Sequence, residues 1–133
     1  MVGTFFTPTA YMNHISFALT WSEVREMSRA GMEIGDHTID HPFLTGQSAP
    51  QVWHEIADSK AMLERFLGQR VVAFAYPFGA YNGLIINLLA RAGYGAAVTT
   101  NAGNWQYAQG IYTLHRTTVP YWDNLAAFAS LLR

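Results

Sequence analysis

Gly31-Met32-Glu33-Ile34-Gly35-Asp36-His37-Thr38-Ile39-Asp40-His41 decides how this chain is read. Met32 to Gly35 is a short apolar segment that reads as a strand, and it runs directly into two histidines four residues apart. Two imidazoles at that spacing can meet one metal ion if the backbone between them turns like a helix. The spacing alone is a weak signal, because a chain of 133 residues with five histidines can produce it by chance. The context strengthens it. The pair follows the C-terminal end of a strand, where parallel α/β folds place their ligand sites. Gly35 permits a sharp backbone change, and Asp36, Asp40 and Pro42 make the segment polar where a core helix would be apolar. Asp36 alternates with His37 along an extended backbone and should point away from a metal. Asp40 is placed to orient an imidazole.

Outward from this segment, strand and helix signals alternate. Val2 to Phe6 reads as a buried strand. Thr20-Trp21-Ser22-Glu23 is a capping box that starts a helix with the stripe Trp21, Val24, Met27, and Gly31 closes it. Ser48-Ala49-Pro50-Gln51 is a second capping box, with Pro50 in the first turn. Val52, Ile56, Leu63 and Leu67 then share one face until Gly68 stops the helix. Val71 to Tyr76 is a third strand. Asn82 caps a helix with the stripe Ile85, Leu88, Leu89, Ala92, ended by Gly93. Tyr94 to Thr99 and Ile111 to Val119 read as the fourth and fifth strands, separated by a loop rich in Gly, Asn and Gln. Asp123 caps a last helix carrying Leu125, Phe128 and Leu131. This order implies parallel strands with helices packed outside. Five strands and four helices make an incomplete barrel or a small open sheet.

Composition narrows the function classes. Half the residues are hydrophobic and 13% are charged, which suits one globular domain. A net charge of −1 gives no electrostatic case for nucleic acid or an anionic membrane. The absence of cysteine excludes disulfides and thiolate-bound zinc, so a metal must be held by His, Asp, Glu or water. No apolar stretch approaches the roughly 20 residues of a membrane span. Met1 to Ala10 has no basic region before its apolar residues and does not read as a signal peptide.

A second motif lies at Phe74-Ala75-Tyr76-Pro77-Phe78-Gly79-Ala80-Tyr81-Asn82, which by itself reads as a strand-to-helix turn with aromatic packing. Together with the histidine segment and Gly3-Thr4-Phe5-Phe6, it resembles the polysaccharide deacetylases, the carbohydrate esterase family four enzymes. Ala75 stands where many members have Arg, a version seen in the poly-N-acetylglucosamine-deacetylase-like branch. Leu114-His115-Arg116-Thr117-Thr118-Val119 resembles that branch's Leu-x-Arg-x-x-Val strand. The resemblance implies one catalytic domain over residues 1–133, an incomplete (β/α) barrel of parallel strands with outer helices. The family's opening Thr-Phe-Asp-Asp-Gly type motif is not among these residues. Thr4-Phe5-Phe6 looks like the family's second strand, so a missing first strand and helix, that is an N-terminally truncated domain, are expected. An exposed apolar edge or groove should then lie beside the first strand, and a homodimer would cover it.

The resemblance also implies a chemistry. His37 and His41 would hold a divalent ion, with zinc expected, and the Phe78 backbone N–H would serve an oxyanion hole. Arg116 would reach the site and position a carboxylate or the substrate. Tyr76, Pro77, Gly79, Tyr81 and Trp105 would line the sugar site, Trp105 by stacking as Tyr107 could. His14, His54, His115, Trp53 and Trp122 read as structural or solvated. In the family the third metal ligand and the general base are carboxylates of the opening motif. The expected activity is therefore removal of acetyl groups, N-acetyl before O-acetyl, from a bacterial polysaccharide, usually at the cell envelope. Two rivals stand beside it: a metal- or glycan-binding remnant without the base, and a piece of a larger enzyme.

Overall fold

A computed structural model describes residues 3–103, 105–117, 119 and 124–130. Strands β1 (Thr4–Thr7), β2 (Glu33–Asp36), β3 (Ala73–Ala75) and β4 (Ala96–Val98) pair in chain order, all parallel. Helices α1 (Trp21–Arg29), α2 (Ala49–Trp53), α3 (Ser59–Leu67) and α4 (Gly83–Ala92) are the connections. This is the incomplete barrel expected from the alternation: a four-stranded parallel sheet, not closed, with helices on its outer face.

The helix ends follow local chemistry. Thr20 and Glu23 cap α1 reciprocally, Ser48 and Gln51 do so for α2, and the Asn82 side chain accepts the Ile85 N–H at 3.0 Å. Gly68 and Gly93 end α3 and α4 in the left-handed conformation, with φ of 70° and 82°. Alternate strand residues Ile34, Phe74 and Ala97 face the helices. They pack with Val24, Val52, Ile56, Leu63, Ile85 and Leu89 into one core. The other face carries Phe6, Ala73, Ala96, Val98 and Leu114 around an open apolar hollow of about 310 Å³. Phe5, Leu19, Met27, Ala30 and Met32 line a second apolar groove beside β1, which among the described residues pairs with β2 alone.

Several expectations change. Gly35 does not make a sharp turn: it is a regular β2 residue, and a Cβ there would lie 2.5 Å from the Phe6 ring. The long middle helix is interrupted by a π-turn at His54–Asp58, where the Ser59 and Tyr94 hydroxyls reach the carbonyls of Glu55 and Ile56. Among the described residues the fifth strand shrinks to one parallel bridge of Leu114 on Val98, preceded by a turn at 111–112. Its far side is occupied by a side chain: Gln106 accepts the His115 N–H at 3.0 Å and donates to the His115 carbonyl at 2.9 Å. The last helix, α5 (Leu125–Ser130), is capped by Asn124, whose side chain accepts the Ala127 N–H. Val2, Trp122, Asp123 and Leu131 lie outside the described residues.

Candidate active site

β2 delivers His37 to the C-terminal edge of the sheet. Its Nδ1 lies 2.7 Å from the Ala75 carbonyl at the end of β3. A carbonyl can only accept, so Nδ1 carries the proton and Nε2 keeps its lone pair. Burial pushes the His37 imidazole below its ordinary pKa; the Ala75 carbonyl opposes this, and His41 and Arg116 add to it. The environment therefore favours the neutral ring, the form a metal requires.

The expected helical turn between the histidines is not what joins them. Residues 37–41 are an irregular bend in which Thr38 and His41 have φ of 72° and 57°. This bend still brings the two rings to 4.6 Å between centroids. A β-branched threonine at positive φ is strained and persists only where its surroundings impose it. Here they do. Asp36 accepts the Thr38 N–H at 2.9 Å, and the Thr38 hydroxyl accepts the His41 N–H at 3.0 Å. Glu55, buried beneath the bend, accepts the N–H groups of both Ile39 and Asp40 at 3.0 and 3.2 Å. From the other side the N–H groups of Thr9 and Ala10 donate to the carbonyls of Thr38 and Ile39.

Asp36 points away from the pair, as its alternation with His37 required. It is fully buried against Ser59 and Tyr94. Burial pushes its carboxyl up to about 6, against hydrogen bonds from Tyr94, Ser59 and the backbone. Asp40 is exposed and does not orient an imidazole; the Ala75 carbonyl does that instead.

β3 ends in a 3-10 turn, Pro77–Gly79, that brings the second motif to the same edge. Phe78 has φ of 58°, and its ring meets His41 edge-on at 4.6 Å. Among the described residues no protein acceptor takes the Phe78 N–H, whereas those of Gly79 and Ala80 are used within the turn. Gly79 has φ of 71°, and a Cβ there would lie 2.0 Å from the Thr100 hydroxyl. Arg116 stands near enough for its charge to act on His37, and its Nε donates to the Thr99 carbonyl at 2.7 Å.

The proposed sugar-site residues divide. Tyr76 is 1% exposed, packs on Phe74 and Tyr81 and donates to the Tyr112 carbonyl, so its side chain lies behind the site in the core. Pro77 is buried and Tyr81 half-buried against that core. Trp105 is 80% exposed on the loop after β4. Phe43, which the motifs did not single out, stacks on Phe78 at 3.9 Å, and the Tyr11 ring lies 6.5 Å from His41. Only their tertiary neighbours mark these two.

A divalent cation suits this pair in donor type and in the tautomer imposed on His37. Two nitrogens are not a complete set, and among the described residues no three His, Asp or Glu side chains cluster as metal ligands.

The polysaccharide deacetylase family model matches residues 1–97. The chain belongs to the polysaccharide deacetylase family. It is 35% identical over 114 residues to YxkH of Bacillus subtilis strain 168, a protein bearing the polysaccharide deacetylase name. That match covers 86% of this chain and 41% of YxkH. The Streptococcus pyogenes deacetylase PplD, solved with acetate, superposes with a TM-score of 0.91 at 33% identity, over 98% of this chain and 58% of that one. BC0361, a polysaccharide deacetylase from Bacillus cereus, gives a TM-score of 0.88 at 25% identity, over 98% of this chain and 41% of that one. The chain thus spans about half the length of these family members.

Proposed function

We propose that this chain carries the histidine and oxyanion side of a metal-dependent deacetylase site. The reaction is hydrolysis of acetyl groups, N-acetyl in preference to O-acetyl, on a bacterial polysaccharide. The observation that carries the reading is the imposed tautomer of His37, its Nε2 free beside His41. Family membership supports the reaction class, and the similarity to a deacetylase solved with acetate is in keeping with acetate as the acyl product, the sugar amine or hydroxyl being the leaving group.

His37 and His41 would hold the ion, with zinc favoured by nitrogen donors. Bound there, it would supply Lewis acidity toward the acetyl carbonyl and toward water. The Phe78 N–H, left without a protein acceptor, would donate to the oxygen that gains charge as the carbonyl becomes tetrahedral. One such donor is worth roughly 3 kcal/mol of transition-state stabilisation. Arg116 would position a carboxylate or the substrate, because its Nε is anchored on the Thr99 carbonyl and the residue is exposed. The chain's described residues offer no clustered third ligand, which favours one second reading: a protein that holds metal or glycan without turnover.

Acetate release from N-acetylglucosamine oligomers, with added zinc, tests the proposal beside His37→Ala and a metal-free control. Release that needs both zinc and His37 supports the hydrolase. Stoichiometric zinc without release supports the binding protein. No zinc on the wild type sinks the zinc hydrolase and the metal-holding protein, and leaves only a glycan binder.

A further inference from the structure

Phe43 is an aromatic side chain that neither sequence motif accounts for. It is 59% exposed, and its ring lies parallel to that of Phe78, centroids 3.9 Å apart and planes 9° apart. Phe78, itself 53% exposed, touches the His41 ring. The two rings therefore form one wall that begins at the histidine pair and ends at Phe43. Stacking hides one face of Phe43 and leaves the other to water. A residue that served only to prop the loop would bury its side chain, as Leu44 does one position later. Pro42 fixes its own φ just before Phe43, and Phe78 sits in a left-handed turn.

We infer that Phe43 is a specificity-determining residue whose outer face takes a hexopyranose ring of the glycan, next to the acetyl group at the histidine pair. This deepens the deacetylase reading and rests on it. A pyranose ring presents axial C–H bonds on its faces and hydroxyls around its rim. Laid on a flat aromatic, it removes apolar surface from water on both partners while the rim stays hydrated. The wall carries no charge of its own, which suits an uncharged acetylated sugar. Its preset geometry limits the ordering cost of binding.

The test uses the N-acetylglucosamine tetramer as probe and Phe43→Ala, Phe43→Trp and His37→Ala as variants. Calorimetric titration should show Phe43→Ala binding the tetramer about three- to tenfold more weakly, the worth of one aromatic contact, with Phe43→Trp restoring it. In acetate release the loss should fall on KM for the tetramer rather than on kcat. It should exceed the loss on 4-nitrophenyl acetate by at least about threefold, because the small ester has no ring to stack. Equal tetramer binding by wild type and Phe43→Ala would overturn the inference. So would His37-dependent cleavage of the small ester by a wild type that does not bind the tetramer, and that outcome would leave the deacetylase reading standing. A wild type that neither binds the tetramer nor releases acetate would remove both.

Discussion

Thr38, His41 and Phe78 are three of the four non-glycine residues with positive φ among those described, and all three sit at the candidate site. Backbone strain gathered in one place needs matching restraint, and Glu55 supplies much of it by accepting two successive N–H groups inside the histidine bend. Replacing Glu55 with Gln should leave the protein folded but loosen the bend. Zinc affinity, read by competition with a chelating dye, should then fall about tenfold, the usual cost of losing a group that orients a ligand. An unchanged affinity would mean that Thr38 and the Thr9 turn suffice. Gly79 is the opposite case, a position where no side chain fits. Gly79→Ala should cost about 2–4 kcal/mol through clash and positive φ together. Adding Thr100→Ala should recover part of it in chemical denaturation, because the nearest atom, 2.0 Å away, is the Thr100 hydroxyl.

The connection between α3 and β3 depends on one glutamate. Glu64 accepts the Val71 N–H and pairs with the buried Lys60 amine, which also donates to the Val71 carbonyl. Burial alone would raise the Glu64 carboxyl, yet Lys60, the Val71 N–H and Arg70 bring it below the ordinary glutamate value. A carboxyl lowered on folding contributes stability that is complete above its unfolded pKa and is lost as pH falls through the folded one. The melting temperature of Glu64→Gln should therefore lie below that of the wild type from pH 7 to about 5. The gap should close below pH 4.5 as the wild-type carboxyl takes up its proton. A gap independent of pH would show that packing, not charge, sets the contribution. The caps and glycine stops of α1, α3 and α4 were legible in the sequence because each acts within a few residues. The π-turn was not, because it answers to the Tyr94 hydroxyl 38 residues away from Ile56. The shortening of the fifth strand among the described residues was not either: the chain turns at 111–112, and Gln106 folds back on His115.

Across the whole molecule the two faces of the sheet are unequal. One is filled by helices; the other is an apolar hollow of about 310 Å³ lined by Phe6, Ala73, Ala96, Val98 and Leu114. An open apolar surface of this kind binds hydrophobic probes. The native protein should enhance anilinonaphthalene sulfonate fluorescence at neutral pH, and Ala73→Leu, which fills the hollow, should reduce that signal without lowering the melting temperature. No enhancement in the native state would mean that the hollow is closed in solution. The alternation of strand and helix, the family, the two histidines and the turn at Phe78 were all determined by the sequence itself. Each is written in a short local pattern: a period, a cap, or a spacing within one turn of chain. Tertiary structure alone decided how His37 and His41 meet, which nitrogen of His37 is free, that Tyr76 serves the core, and that Phe43 joins the site. Those outcomes depend on groups brought together from separate strands and loops. The Ala75 carbonyl 38 residues from His37 and the Phe78 ring, brought to Phe43 from the turn after the neighbouring strand, leave no mark in the residues beside them.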